Sequence, residues 1–117
     1  MGAEKNPMKE RLKSCYIDMI LAREYYRKIM KALRKCDGKK IFNIEIVYFI
    51  KNVPRFKNFT YLNKQIYDSV KILKQVCLNE IDNEMAYKIL EKDYSKLLET
   101  MICINEYLLL EEWIGLP

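Results

Sequence analysis

"PMKERLKSCYIDMILAREYYRKIMKALRKC", residues 7–36, decides the fold class of this chain. Apolar side chains recur in it with a seven-residue period, a spacing typical of a helix that buries one stripe in a bundle. One seam position holds Leu12, Met19, Tyr26 and Leu33, and the other holds Met8, Cys15, Ala22, Ile29 and Cys36. The ends carry suitable residues, because Asn6 can cap the helix, Pro7 suits its first turn and Gly38 can stop it. A first helix of about 28 residues is therefore predicted, preceded by a disordered N-terminus over residues 1–6.

Two further long helices are predicted downstream. One runs from about residue 58 to residue 79 and the other from a cap at Asp82 or Asn83 to about Trp113. Apolar residues in both recur at intervals of three and four. The stripes comprise Phe59, Leu62, Ile66, Ser69, Leu73 and Val76 in the first, and Tyr87, Leu90, Tyr94, Leu97, Met101, Ile104 and Leu108 in the second.

The segment "NIEIVYFIKN", residues 43–52, is compatible with two structures. Its Ile and Val content suits a strand, whereas a cap at Asn43 and a stop at Pro54 suit a short helix. A lone strand would have no partner in this chain, so we predict a helix. The 117 residues, with only three glycines and three prolines, then form one domain over residues 1–117. We expect an all-α, compact antiparallel bundle of three long helices plus one short helix.

The chain lacks the residues that several classes of chemistry require. The chain has no histidine, no phosphate-binding glycine loop and no paired cysteine motif. We therefore predict no enzyme activity, no metal and no cofactor. The scattered cysteines Cys15, Cys36, Cys77 and Cys103 are interpreted as buried thiols. The longest apolar run is the five residues "IVYFI", so no membrane contact is predicted and an intracellular, cytoplasmic location is the default.

Charge is concentrated in the first half of the chain. Residues 1–57 carry 15 Lys and Arg against 6 Asp and Glu, whereas residues 58–117 carry 6 against 10. The stretch "REYYRKIMKALRKCDGKK", residues 23–40, holds eight of these cations. The candidate anion-binding residues are Arg23, Arg27, Lys28, Lys31, Arg34, Lys35, Lys39 and Lys40, with Tyr25 placed to stack on an unpaired base.

Nucleic acid is the favoured partner for this basic face, through backbone contacts that do not read sequence. No recognised nucleic-acid-binding motif supports it. An acidic protein surface, including a second copy of the chain, is the main alternative, and a solvated helix face is the third.

Apolar residues off the seams indicate further buried surface. They are Ile17, Ile20 and Leu21 in the first helix and Leu109, Leu110, Trp113 and Ile114 in the last. Either the short helix and the C-terminal tail cover them, or a protein partner or homo-oligomer does. In the second case the rival function is a protein–protein adaptor or inhibitor, of viral or mobile-element origin, without nucleic-acid contact.

Overall fold

The structure is a computed structural model that describes residues 7–35 and 44–114, the last four by their backbone alone. These residues form four helices, α1 (Pro7–Arg34), α2 (Ile44–Lys51), α3 (Tyr61–Cys77) and α4 (Asn83–Ile114), and no strand. The predicted all-α bundle of three long helices and one short helix is confirmed. The predicted disordered segment and the helix ends assigned to Asn6, Gly38 and Asn43 lie outside the described residues.

The ambiguous segment is helical, as predicted. α2 packs on the bundle through Ile46, which is buried, and through the half-buried Phe49 and Ile50. After its last turn, both the backbone N–H and the side-chain amide of Asn52 donate to the Tyr48 carbonyl at 2.9 Å. The α2 residues thus satisfy their backbone within the helix and need no neighbouring strand.

Consecutive segments run in opposite directions. The chain returns along α1 through α2 and residues 52–60, since Glu45 lies beside Lys35 and Phe59 beside Asp18. α3 then runs parallel to α1, and α4 runs antiparallel to it, with the Tyr26 and Tyr94 rings 6.4 Å apart. The resulting antiparallel bundle measures 63 × 22 × 16 Å.

The core lies where three helices meet and contains most residues of the predicted stripes together with further buried residues such as Ala86. Its fully buried members include Met19, Ala22, Tyr26 and Ile29 of α1, Leu62, Ile66 and Leu73 of α3, and Ala86 and Leu90 of α4. Ser69, a polar member of the α3 stripe, is buried because its hydroxyl bonds to the Tyr26 hydroxyl at 2.9 Å. The seam does not stay buried to its start, since Met8 is exposed.

Both ends of the α3–α4 connection show recognisable caps. Asp82 Oδ1 accepts the N–H of Met85 at 2.7 Å, which confirms the predicted cap of α4. α3 ends at Cys77 in a Schellman motif, in which Asn79 adopts a left-handed conformation with φ 58°. At its other end α3 starts at Tyr61, three residues later than predicted, and the Asn58 and Phe59 N–H groups that precede it donate to Asp18.

A basic groove between α1 and α4

An open groove lies between the C-terminal half of α1 and the N-terminal half of α4. Its volume is about 440 Å³, and we call it the basic groove. Its lining residues are Arg27, Met30, Lys31, Arg34 and Lys35 from α1 and Tyr87 and Tyr94 from α4. Four of these seven side chains are cationic and none is acidic, so the lining of the groove is positively charged and suits an anion.

Helical spacing brings these cations together on one side of α1. Arg27, Lys31 and Arg34 follow one another at intervals of four and three residues, which places them on one side of α1 over about 10 Å of its axis. The opposite side of α1 carries the buried seam, so packing of the seam against α3 and α4 holds the cations outward. The basic face is thus a consequence of the amphipathic pattern of α1.

Three of the four cations have neighbours that hold them only weakly. Arg27 lies 3.4 Å from Glu24, and Lys35 lies 3.7 Å from Glu45. All four of these side chains are about half exposed or more, so such pairs contribute little to stability and exchange readily for another anion. The Arg34 guanidinium lies 4.6 Å from the centre of the Tyr87 ring, a cation–π contact.

The remaining predicted cations divide into three groups. Lys28 and Lys31 are exposed and form no ion pair with any described residue. Arg23 is half-buried, and its Nε is fully buried without a hydrogen-bond partner among the described residues, so less of its charge reaches the surface. Lys39 and Lys40 lie outside the described residues.

Tyr25 belongs to the core and not to the surface, which corrects its expected role as a stacking platform. Its ring is 7% exposed and packs edge-on against Phe49 at 5.9 Å, while its hydroxyl donates to the Phe49 carbonyl at 2.7 Å. Burial raises the pKa of Tyr25 to about 12. Tyr25 is buried because α2 packs over the side of α1 that carries it.

Tyr87 and Tyr94 are the aromatic residues that the groove does contain. The α4 pattern marked both as seam residues, and both are half-buried beside the core. Their seven-residue separation showed that they share one side of α4. Only the antiparallel register of α4 against α1 brings that side to the cations, and no local pattern reports this register.

The predicted apolar interface residues are mostly exposed. Ile17, Leu21, Leu109 and Leu110 are each more than half exposed, whereas Ile20 is half-buried against the core. α2 does not cover the first pair, because it packs beside Tyr25 instead. The side chains of Trp113 and Ile114 lie outside the described residues.

The cysteines differ from their predicted burial. Cys103 is exposed and Cys15 and Cys77 are half-buried, while Cys36 lies outside the described residues. Cys103 is exposed because α3 does not extend along α4 as far as that position. Within the described part of the chain, no cluster of acidic, cysteine or histidine side chains is placed to hold a metal. None of the described helices has the length and apolar character needed to cross a membrane.

Comparison of the chain with protein-family models, with curated proteins and with solved structures found no match to any of them.

Proposed function

We propose that this protein is a non-enzymatic helical accessory protein that binds a polyanion, foremost nucleic acid, in the basic groove. The observation that carries the proposal is the lining of the groove, four cations over two tyrosines without a carboxylate. Phosphates bind such a surface because each neutralised phosphate releases condensed counterions. The half-buried tyrosine rings offer stacking surface for bases at the groove floor.

The groove supports backbone contacts rather than sequence readout. Arginine and lysine side chains that project from one helix face reach phosphates of any sequence. An aromatic floor favours single strands, whose bases can leave the stack and lie on a ring. Single-stranded DNA or RNA is accordingly the ligand class we propose.

Fluorescence anisotropy with labelled single- and double-stranded DNA and RNA, repeated at several salt concentrations, tests this proposal. Engagement of four phosphates predicts a slope of log affinity against log salt of about −3 for single strands. A triple variant, Arg27→Glu, Lys31→Glu and Arg34→Glu, should lose binding. Absence of binding by the wild type at low salt refutes the proposal.

A matched control separates the groove from net charge. Lys64→Glu, Lys71→Glu and Lys74→Glu change three exposed cations on α3, away from the groove, and alter the net charge by the same amount. We expect this variant to retain most of the affinity. Equal loss in both triple variants would assign binding to overall charge and would contradict a groove site.

Exposed apolar surface supports a second candidate, a protein–protein adaptor or inhibitor without nucleic-acid contact. The supporting observation is that Ile17, Leu21, Leu109 and Leu110 remain more than half exposed after the bundle has formed. Binding to a protein partner would then survive reversal of the groove cations and fail on Leu21→Glu. The groove triple variant and Leu21→Glu together therefore distinguish the two functions.

A further inference from the structure

The bundle has three helices over only part of its length. Phe59 and Tyr61, at the start of α3, lie beside Met19 of α1 and Leu97 of α4. Beyond that level α1 and α4 continue as an antiparallel pair, and the connecting segment reaches along α1 only as far as Cys15, whose thiol contacts the Asn58 carbonyl. We call this pair, residues 7–17 and residues 102–114, the two-helix arm. Its α4 segment of 13 residues is about 20 Å long.

The two-helix arm is apolar but has no core. Of the 20 residues in 7–17 and 102–110, 12 are apolar, and not one of the 20 is buried. The neighbouring residues Met19 and Met101, one or two positions inside the bundle, are both at most 3% exposed. The most exposed apolar side chains of the arm are Met8, Ile17, Ile102, Leu109 and Leu110. Two helices cannot enclose such surface, because each has apolar residues on sides that the other does not reach.

The charges of the arm identify the class of molecule that would cover it. Its α1 segment carries Lys9, Arg11 and Lys13 against Glu10 alone. Its α4 segment carries Glu106, Glu111 and Glu112 and no cation. One segment is thus basic and the other acidic, so a second arm of the same sequence complements both at once.

We infer that the two-helix arm is an interface for a second copy of this chain. Two arms pair about a two-fold axis, with α1 of each copy against α4 of the other, and together they form a four-helix bundle. The shared core then contains the apolar residues that each arm leaves exposed. The inference is independent of anion binding, and its test contains no nucleic acid.

Sedimentation equilibrium of the full chain over a range of concentrations tests the inference. The monomer mass is 14.1 kDa, and we expect a reversible transition to twice that mass. The double variant Ile102→Glu and Leu109→Glu should remain monomeric at concentrations where the wild type is dimeric. A matched control, Met85→Glu and Ile89→Glu, changes two exposed apolar residues at the other end of α4 and should dimerise as the wild type does.

A wild type that stays monomeric overturns the inference, and so does an arm variant that dimerises normally. Loss of the dimer in the control as well as in the arm variant also overturns it, since the contact would then not be confined to the arm.

Hydrogen exchange on the wild type tests the interface without any variant, so the result does not depend on whether the variants fold. Amides of residues 102–110 should exchange at least tenfold more slowly at concentrations above the dimer transition than below it. Those of α3 should not change. Uniform exchange in the arm across the transition would place the interface elsewhere and refute the proposal.

Discussion

The Asp18 carboxylate accepts the backbone N–H of Phe59 at 2.8 Å, and the same oxygen accepts the N–H of Asn58 at 2.9 Å. Asp18 is 5% exposed, an unusual position for an aspartate on an otherwise apolar stretch of α1. Its two bonds tie the returning chain to α1 just before α3 begins at Tyr61. They hold the returning chain to α1 near the level at which the three-helix part of the bundle gives way to the two-helix arm.

Replacement of Asp18 should destabilise the fold. Asp18→Ala leaves two N–H groups without their charged acceptor, and we expect a loss of about 2–3 kcal/mol in the free energy of unfolding. Asp18→Asn keeps one side-chain oxygen and should lose about half as much, because a neutral acceptor is weaker. Urea unfolding followed by circular dichroism measures both. A loss below about 0.5 kcal/mol for Asp18→Ala would show that water replaces the carboxylate at no cost.

The buried hydroxyl pair of Tyr26 and Ser69 should respond unequally to removal of either partner. The Ser69 hydroxyl donates to the Gln65 carbonyl at 3.0 Å, so the Tyr26 hydroxyl is the donor in their 2.9 Å bond. Ser69→Ala leaves that donor without Ser69 as acceptor, at a cost of about 1–3 kcal/mol. Tyr26→Phe removes the donor itself and should cost about 1 kcal/mol. Urea unfolding of the two variants checks the order, and a larger loss for Tyr26→Phe would contradict the assigned donor.

The two buried tyrosines of α1 predict a loss of stability at alkaline pH. Burial raises the pKa of Tyr25 to about 12 from an ordinary value of 10.0, and burial also raises the pKa of Tyr26. Below pH 10 both hydroxyls are protonated in the folded and unfolded states, so this contribution is constant. Between pH 10 and about 12 the unfolded chain releases protons that the folded chain retains. The free energy of unfolding should then fall by about 1.4 kcal/mol per pH unit for each tyrosine.

Urea unfolding at pH 8 to 11 checks this dependence. The double variant Tyr25→Phe and Tyr26→Phe has neither hydroxyl and should show a shallower decline above pH 10, although its stability at pH 8 is lower. An unchanged slope in the double variant would mean that other groups cause the alkaline decline.

Local patterns predicted most of the fold and less of the site. The heptad seam of α1 predicted its length and its central buried residues from Met19 to Leu33, because one stripe of a helix must be covered wherever the helix packs. The segment around Ile46 was predicted correctly as helix by excluding a strand without a partner. Burial of Tyr25 was not predictable, since it depends on where α2 packs after the chain turns. Exposure of Cys103 likewise depends on where α3 starts beside α4, a tertiary arrangement in which Asp18 contacts residues some 40 positions away.

The residues of the basic groove were likewise predictable only in part. The α1 sequence predicted its cations, because they follow from the polar side of one helix. Its tyrosines come from another helix, and their position beside Arg34 depends on tertiary register. Sequence periodicity reports which side of a helix is apolar but not which residue of the neighbouring helix lies opposite.

The tyrosines of the groove should determine its preference between single and double strands. Tyr87 lies under the Arg34 guanidinium at the groove floor, and an unpaired base can stack on its ring when Arg34 moves onto a phosphate, whereas a paired base cannot. We expect Tyr87→Leu to weaken single-strand binding by about 1–3 kcal/mol, in the range of one lost base–aromatic contact. Binding of a duplex of equal length should change little, because the cations that contact its phosphates remain.

Paired anisotropy titrations of a single strand and its duplex at one salt concentration measure this preference. Tyr48→Leu serves as the control, because Tyr48 is exposed on α2 and does not line the groove. Equal weakening of both ligands by Tyr87→Leu would mean that the ring supports Arg34 through their cation–π contact and does not stack on a base. The salt slope of an additional variant, Arg34→Gln, distinguishes these two roles of the ring. Loss of a phosphate contact reduces the salt slope by about 0.7 to 0.9, whereas loss of stacking leaves the slope unchanged.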